Sequence, residues 1–163
     1  MNWAHLHLLL NHLPVLGTVF GLGLLAWAVL RRNDAVQRVA LGTFVVVALL
    51  ALPAYFTGEP AEGVVEHAAG VAETFIETHE AAALVALIGA ELVGLLALVA
   101  LYRARGGRTA SVLATRAVLV MATVTVGLMA WTANLGGRIR HAEIRPGAEQ
   151  GVPGDSDEEE EGR

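Results

Sequence analysis

The sequence predicts an all-α chain, an integral membrane four-helix bundle, and three observations carry the prediction. Apolar residues make up 55% of the 163 residues and the mean hydropathy is +0.55, too high for an ordinary soluble domain. The apolar residues gather into four runs, about 8–30, 39–57, 81–102 and 112–134, parted by charged or Gly/Pro-containing breaks. Each run reaches the ~20 residues needed to cross ~30 Å of hydrocarbon. A backbone in lipid must satisfy its own polar groups, so the runs are expected to be helices. One domain over residues 1–145 and an acidic tail over 146–163 account for the whole chain.

The chain has no cysteine, which excludes disulfides, thiolate metal sites and covalent haem attachment. Its eleven basic residues are all arginine. The first run lacks a basic leader region and is too long for a signal-peptide core, so it is expected to remain as a helix.

Charge asymmetry predicts the orientation. Arg31, Arg32 and Arg38 flank the first connection, and Arg103, Arg105, Arg108 and Arg116 flank the third. The second connection, about 58–80, holds six glutamates and no basic residue. Retention of arginine in short cytoplasmic loops puts both termini outside, in a multi-pass protein of a bacterial inner membrane. Trp3, Tyr55 and Trp131 then fall at the outer boundary, and Trp27 and Tyr102 at the inner one. Arg138, Arg140 and Arg145 dissent, and neutralisation of the acidic loop by Arg138 and Arg140 is the expected reason. The tail, rich in Pro, Gly and carboxylates, lacks a face to bury and is expected to be disordered.

The first span opens with Asn2, His5, His7 and His12, followed by Pro14. Positions seven apart nearly eclipse on a helix, so His5 and His12 share a face and His7 points roughly the other way. His12 lies inside the boundary, where an ionisable group is a candidate for function; His7 reads as an interfacial amphipathic residue. Pro14 cannot donate to Leu10, so a kink or a freed carbonyl is expected there. Gly17 and Gly21 form a small-xxx-small pair suited to close helix approach.

After the second span, Gly58 suits a helix end and Pro60 a new first turn. A short outer lid helix is expected from about Pro60 to His67, with Glu62 and Glu66 along one edge. A further helix is expected from near Val71 into the third span. Glu73, Glu77 and Glu80 would share its face, with Glu91 roughly 16 Å deeper. A charged carboxylate at that depth costs several kcal/mol, so Glu91 is expected to be neutral or paired, for instance with Thr123 or Thr125. Gly136 and Gly137 are expected to stop the fourth helix, letting His141 and Glu143 fold back.

All six histidines fall at the outer ends or in the outer loop, as do fourteen of the sixteen acidic residues. Two chemistries suit that convergence. Facing imidazoles in a four-helix bundle can ligate a b-type haem axially, with His12 and His79 as the expected pair. A mixed set of His12, Glu62, Glu66, His67, His79 and His141 could instead hold iron, zinc or copper. No Glu-x-x-His pair appears in the spans and no HExxH or nucleophile motif is present, so no catalytic residue is assigned.

Asn11-His12-Leu13-Pro14, Gly58-Glu59-Pro60-Ala61-Glu62, Glu66-His67, His79-Glu80 and the run Gly136-Gly137-Arg138-Ile139-Arg140-His141-Ala142-Glu143 resemble a group of uncharacterised bacterial four-helix membrane proteins. That group looks related to the family called domain of unknown function 2231. The resemblance covers residues 1–145, implies the fold and topology, and implies no activity.

Three functions follow as expectations. The first is a membrane module binding haem b or a metal, exchanging electrons with quinone or a periplasmic redox protein. The second is a non-catalytic accessory subunit, as a homodimer or within a larger complex, whose histidines close a structural cap without a cofactor. The third is a small transporter or sensor using Glu91. Nucleic acid is not an expected partner.

Overall fold

The computed structural model describes residues 2–65, 73–106 and 108–145. Five α-helices follow one another: α1 (Trp3–Arg31), α2 (Asp34–Phe56), α3 (Gly58–Val65), α4 (Glu73–Arg103) and α5 (Val112–Arg140). A single 3-10 turn, Ala142–Ile144, comes last. Among the described residues there is no strand. Four helices, α1, α2, α4 and α5, are long and apolar enough to cross a membrane.

Local chemistry sets the helix ends. Asn2, Asn33 and Ser111 cap α1, α2 and α5, each side chain accepting from the backbone N–H three residues on. Arg32 turns left-handed at φ 51°, and its N–H returns to Ala28 and Val29. Only Arg32 and Asn33 separate α1 from α2, so the two run antiparallel. α1 passes Pro14 without ending. α2 yields to α3 at Thr57, and Pro60 sits in the first turn of α3, where a missing N–H costs nothing.

The spanning helices form a ring. α1 packs on α2, α2 on α4, α4 on α5, and α5 back on α1. α1 therefore faces α4 across one diagonal, and α2 faces α5 across the other. Lipid is as apolar as leucine, so close packing of small residues rather than hydrophobicity drives this association. The interior is accordingly rich in alanine, including Ala40, Ala48, Ala86, Ala90, Ala97 and Ala122, with bulky Leu16, Phe20, Leu49 and Leu95 facing outward. Gly17 and Gly21 bring α1 onto α2: a Cβ at Gly17 would fall 2.5 Å from Val47 Cγ2, and one at Gly21 3.0 Å from Phe44. Gly94 does the same for α4, where a Cβ would meet that of Ala48 at 2.4 Å.

Two sequence expectations change. Gly136 and Gly137 do not stop α5, which runs through both to Arg140. Their bareness serves side chains instead, since a Cβ at Gly136 would press on His79 and one at Gly137 on Ile144. The short helix after α2 spans Gly58–Val65 and packs chiefly on α1. The remainder of the expected lid, with Glu66 and His67, lies outside the described residues, as does the acidic tail.

Candidate functional site

The end of the bundle where α1 begins and α5 finishes gathers the polar groups. His7, near the start of α1, is half-buried; its Nδ1 lies 3.0 Å from the Ala54 carbonyl and 3.2 Å from Thr57 Oγ1. Ala54 is in the last turn of α2, where carbonyls lack partners within the helix, and the ring supplies one. Gly58 leaves the ring room, its nearest approach being 3.7 Å.

His79, near the start of α4, is also half-buried, with Nδ1 3.0 Å from the Thr132 carbonyl of α5. That carbonyl lies one turn before Gly136, and the missing Cβ exposes it to the imidazole. His7 and His79 therefore stand on diagonal helices at the same end of the bundle.

The two rings have a common chemistry. A carbonyl only accepts, so each Nδ1 carries the proton and donates it. Each Nε2 is left with its lone pair. Metal-ligating histidines are commonly fixed in this way, with one ring N–H held by a carbonyl or carboxylate and the other nitrogen bare.

The expected pair, His12 with His79, is not brought together. His12 is exposed on the outer surface of α1, its Nδ1 turned back 2.5 Å onto the Leu8 carbonyl. The predicted opposition of His7 to His5 and His12 agrees with the structure, in which His5 and His12 are exposed, but the inward side is His7's. A signal for this was present. His7, Pro14, Gly21 and Ala28 repeat at seven-residue intervals, and the last three are buried. His79, Ala86, Val93 and Ala100 do the same on α4.

The expected mixed metal set is not assembled among the described residues, where no three His, Cys, Asp or Glu side chains group around one point. His141 is exposed and holds Glu143 at 2.7 Å. Glu62 is half-buried on α3; Glu66 and His67 lie outside the described residues. Glu143 is held below the usual carboxylate value, first by its own backbone N–H and then by the His141 side chain.

Arg138 and Arg140 form no ion pair among the described residues, so the expected neutralisation of the acidic loop is not made by them there. Arg145 folds back over the end of α5, donating from Nε to the Arg138 carbonyl at 2.9 Å and from Nη2 to the Ile139 carbonyl at 3.1 Å.

Glu91 does not meet its expected threonines. Thr123 and Thr125 donate to the Leu119 and Met121 carbonyls of their own helix, the usual back-bond of a helical threonine. Glu91 Oε1 is buried without a hydrogen-bond partner among the described residues.

Comparison of the chain with protein-family models, curated proteins and solved structures gives no match.

Proposed function

We propose that this chain is a multi-pass inner-membrane module that holds a b-type haem between His7 and His79 and exchanges electrons near the outer face. The observation that carries the reading is the pair of half-buried imidazoles on diagonal helices, each with Nδ1 at hydrogen-bond distance from a carbonyl and, among the described residues, no hydrogen bond at Nε2. The donor set suits haem better than a bare ion. A haem would bring most of its iron's donors with it and could be held by His7 and His79 alone, whereas a bare ion of this class would need about four ligands from its site. Haem bound there would supply one-electron chemistry, with quinone in the lipid or a periplasmic redox protein as the exchange partner. The chain's own residues orient and fix the ligands: Ala54 and Thr132 set the tautomers, while Gly58 and Gly136 leave the rings space.

The arginine-rich connections between α1 and α2 and between α4 and α5 support an orientation with both termini outside. The test of function is the absorption spectrum of detergent-purified protein, oxidised and then dithionite-reduced, with iron, copper and zinc analysis on the same sample. A reduced-minus-oxidised haem b band is expected.

A second reading has its own observation. The same two bonds tie α1 to α2 and α4 to α5, which suffices for a structural cap on an accessory subunit. A colourless, metal-free and folded protein selects that reading.

A further inference from the structure

A groove of about 570 Å³ runs down the outside of the bundle between α4 and α5, and neither His7 nor His79 is among the residues that line it. Its upper part is lined by Thr74, Thr78 and Arg138, and its lower part by Ala82, Val85 and Trp131. The polarity is thus graded along the membrane normal. The groove runs from Thr74, about two turns above the start of the third apolar run, down to Val85, about one turn inside it, eleven helical residues or about 16 Å in all. With Trp131 at the boundary, it crosses the headgroup layer and enters the top of the hydrocarbon.

The head of the groove is cationic. Arg138 is half-buried, and its Nε is buried with no hydrogen-bond partner among the described residues. Leaving a buried charged donor unsatisfied is costly, so a ligand that accepts from it is strongly favoured there. Arg145 stands beside it, its guanidinium 4.7 Å from the Phe75 ring centroid. Arg145 already donates to two carbonyls and feels the charge of Glu143, which leaves Arg138 as the group open to an incoming anion. None of the residues lining the groove is acidic.

We propose that this groove binds an anionic phospholipid of the adjoining leaflet, with its phosphate on Arg138 and one acyl chain lying along Ala82, Val85 and Trp131. The apolar lower end at the boundary fits the top of an acyl chain, and the Arg138 guanidinium at the head, without a hydrogen-bond partner at Nε among the described residues, fits the phosphate. A zwitterionic lipid also offers a phosphate, but its choline cation offsets the attraction of Arg138, so the net negative charge is what separates the two.

The test is native mass spectrometry of the full chain, released from nanodiscs of equal phosphatidylglycerol and phosphatidylcholine. The wild type should retain phosphatidylglycerol over phosphatidylcholine by about fivefold, the ratio given by the ~1 kcal/mol typical of one basic residue at a membrane surface. Arg138→Gln should abolish the preference. Thr78→Trp, which fills the groove and spares the charge, should cut total lipid retention. Arg103→Gln, at the other end of α4, should change neither, and circular dichroism checks that every variant is folded. Equal retention of the two lipids by the wild type, or an undiminished preference in Arg138→Gln, overturns the proposal. Full retention in Thr78→Trp overturns the groove as the seat of the chain.

Discussion

The imidazole of His79 occupies the space where Gly136 has no side chain. A Cβ on Gly136 would stand 3.0 Å from the ring's Cε1 and 3.2 Å from Nδ1, the atom that reaches the Thr132 carbonyl. One glycine on α5 thus leaves room for the ring of α4 that reaches the Thr132 carbonyl.

Gly136→Ala should therefore release His79 more than it unfolds the protein. Alanine gains up to ~1 kcal/mol of helix propensity over glycine, which roughly offsets the ~1 kcal/mol of the lost hydrogen bond. Nitrogen NMR of labelled histidine provides the check. The wild type should show His79 as the Nδ1–H tautomer, and the variant a mixture of tautomers. An unchanged tautomer in Gly136→Ala contradicts the account.

The glycines at the helix contacts should differ sharply from those on open surface. Gly94→Ala places a methyl 2.4 Å from Ala48 Cβ, so α2 and α4 must part, at a cost of ~1–3 kcal/mol typical of overpacking. Gly127 has open space around it, and Gly127→Ala should be neutral or stabilising by up to ~1 kcal/mol. Thermal unfolding in detergent should lower the midpoint for the first and hold or raise it for the second.

Glu91 is the one carboxylate within a span, and the hydroxyls expected to satisfy it are spent on their own helix. Glu91→Leu should raise stability by ~1–3 kcal/mol, the range for relieving a buried unsatisfied polar group. The same unfolding assay decides this. A marked loss of stability instead would show that Glu91 makes a contact the isolated chain lacks.

At the end of α5, acid should loosen the His141–Glu143 contact. Glu143 is held below its ordinary value of 4.5 by its backbone N–H and by His141. A folded value below the unfolded one means that the contact contributes above the unfolded value and is lost as pH falls through the folded one. Carbon NMR of the Glu143 carboxyl should titrate below 4.5, and His141→Ala should move the midpoint upward. A midpoint at or above 4.5 in the wild type goes against the contact.

Much of the fold was legible because lipid imposes a strict rule: long apolar runs must become helices, and the four runs mark α1, α2, α4 and α5. The error at Gly136 and Gly137 arose because a glycine pair reads the same whether it ends a helix or admits a neighbour's side chain. His79, the ring that uses that space, is more than fifty residues away in sequence. Depth singles out His12 over His7 in the sequence, since an ionisable residue further into a span is the stronger candidate for function. Depth does not say which side faces the bundle. Small residues do, because in lipid they mark the packing face, and Gly21 and Ala28 repeat from His7 at intervals of seven. The groove at Arg138 had no sequence signal, since it depends on how α4 and α5 lie together.

The central claim is tested most directly by the reduced-minus-oxidised spectrum of four proteins purified alike: wild type, His7→Ala, His79→Ala and His12→Ala. The account predicts a haem b band in the wild type and in His12→Ala, lost or shifted in His7→Ala and in His79→Ala while both remain folded. A band that survives both of those changes, or one that disappears only with His12→Ala, would contradict it.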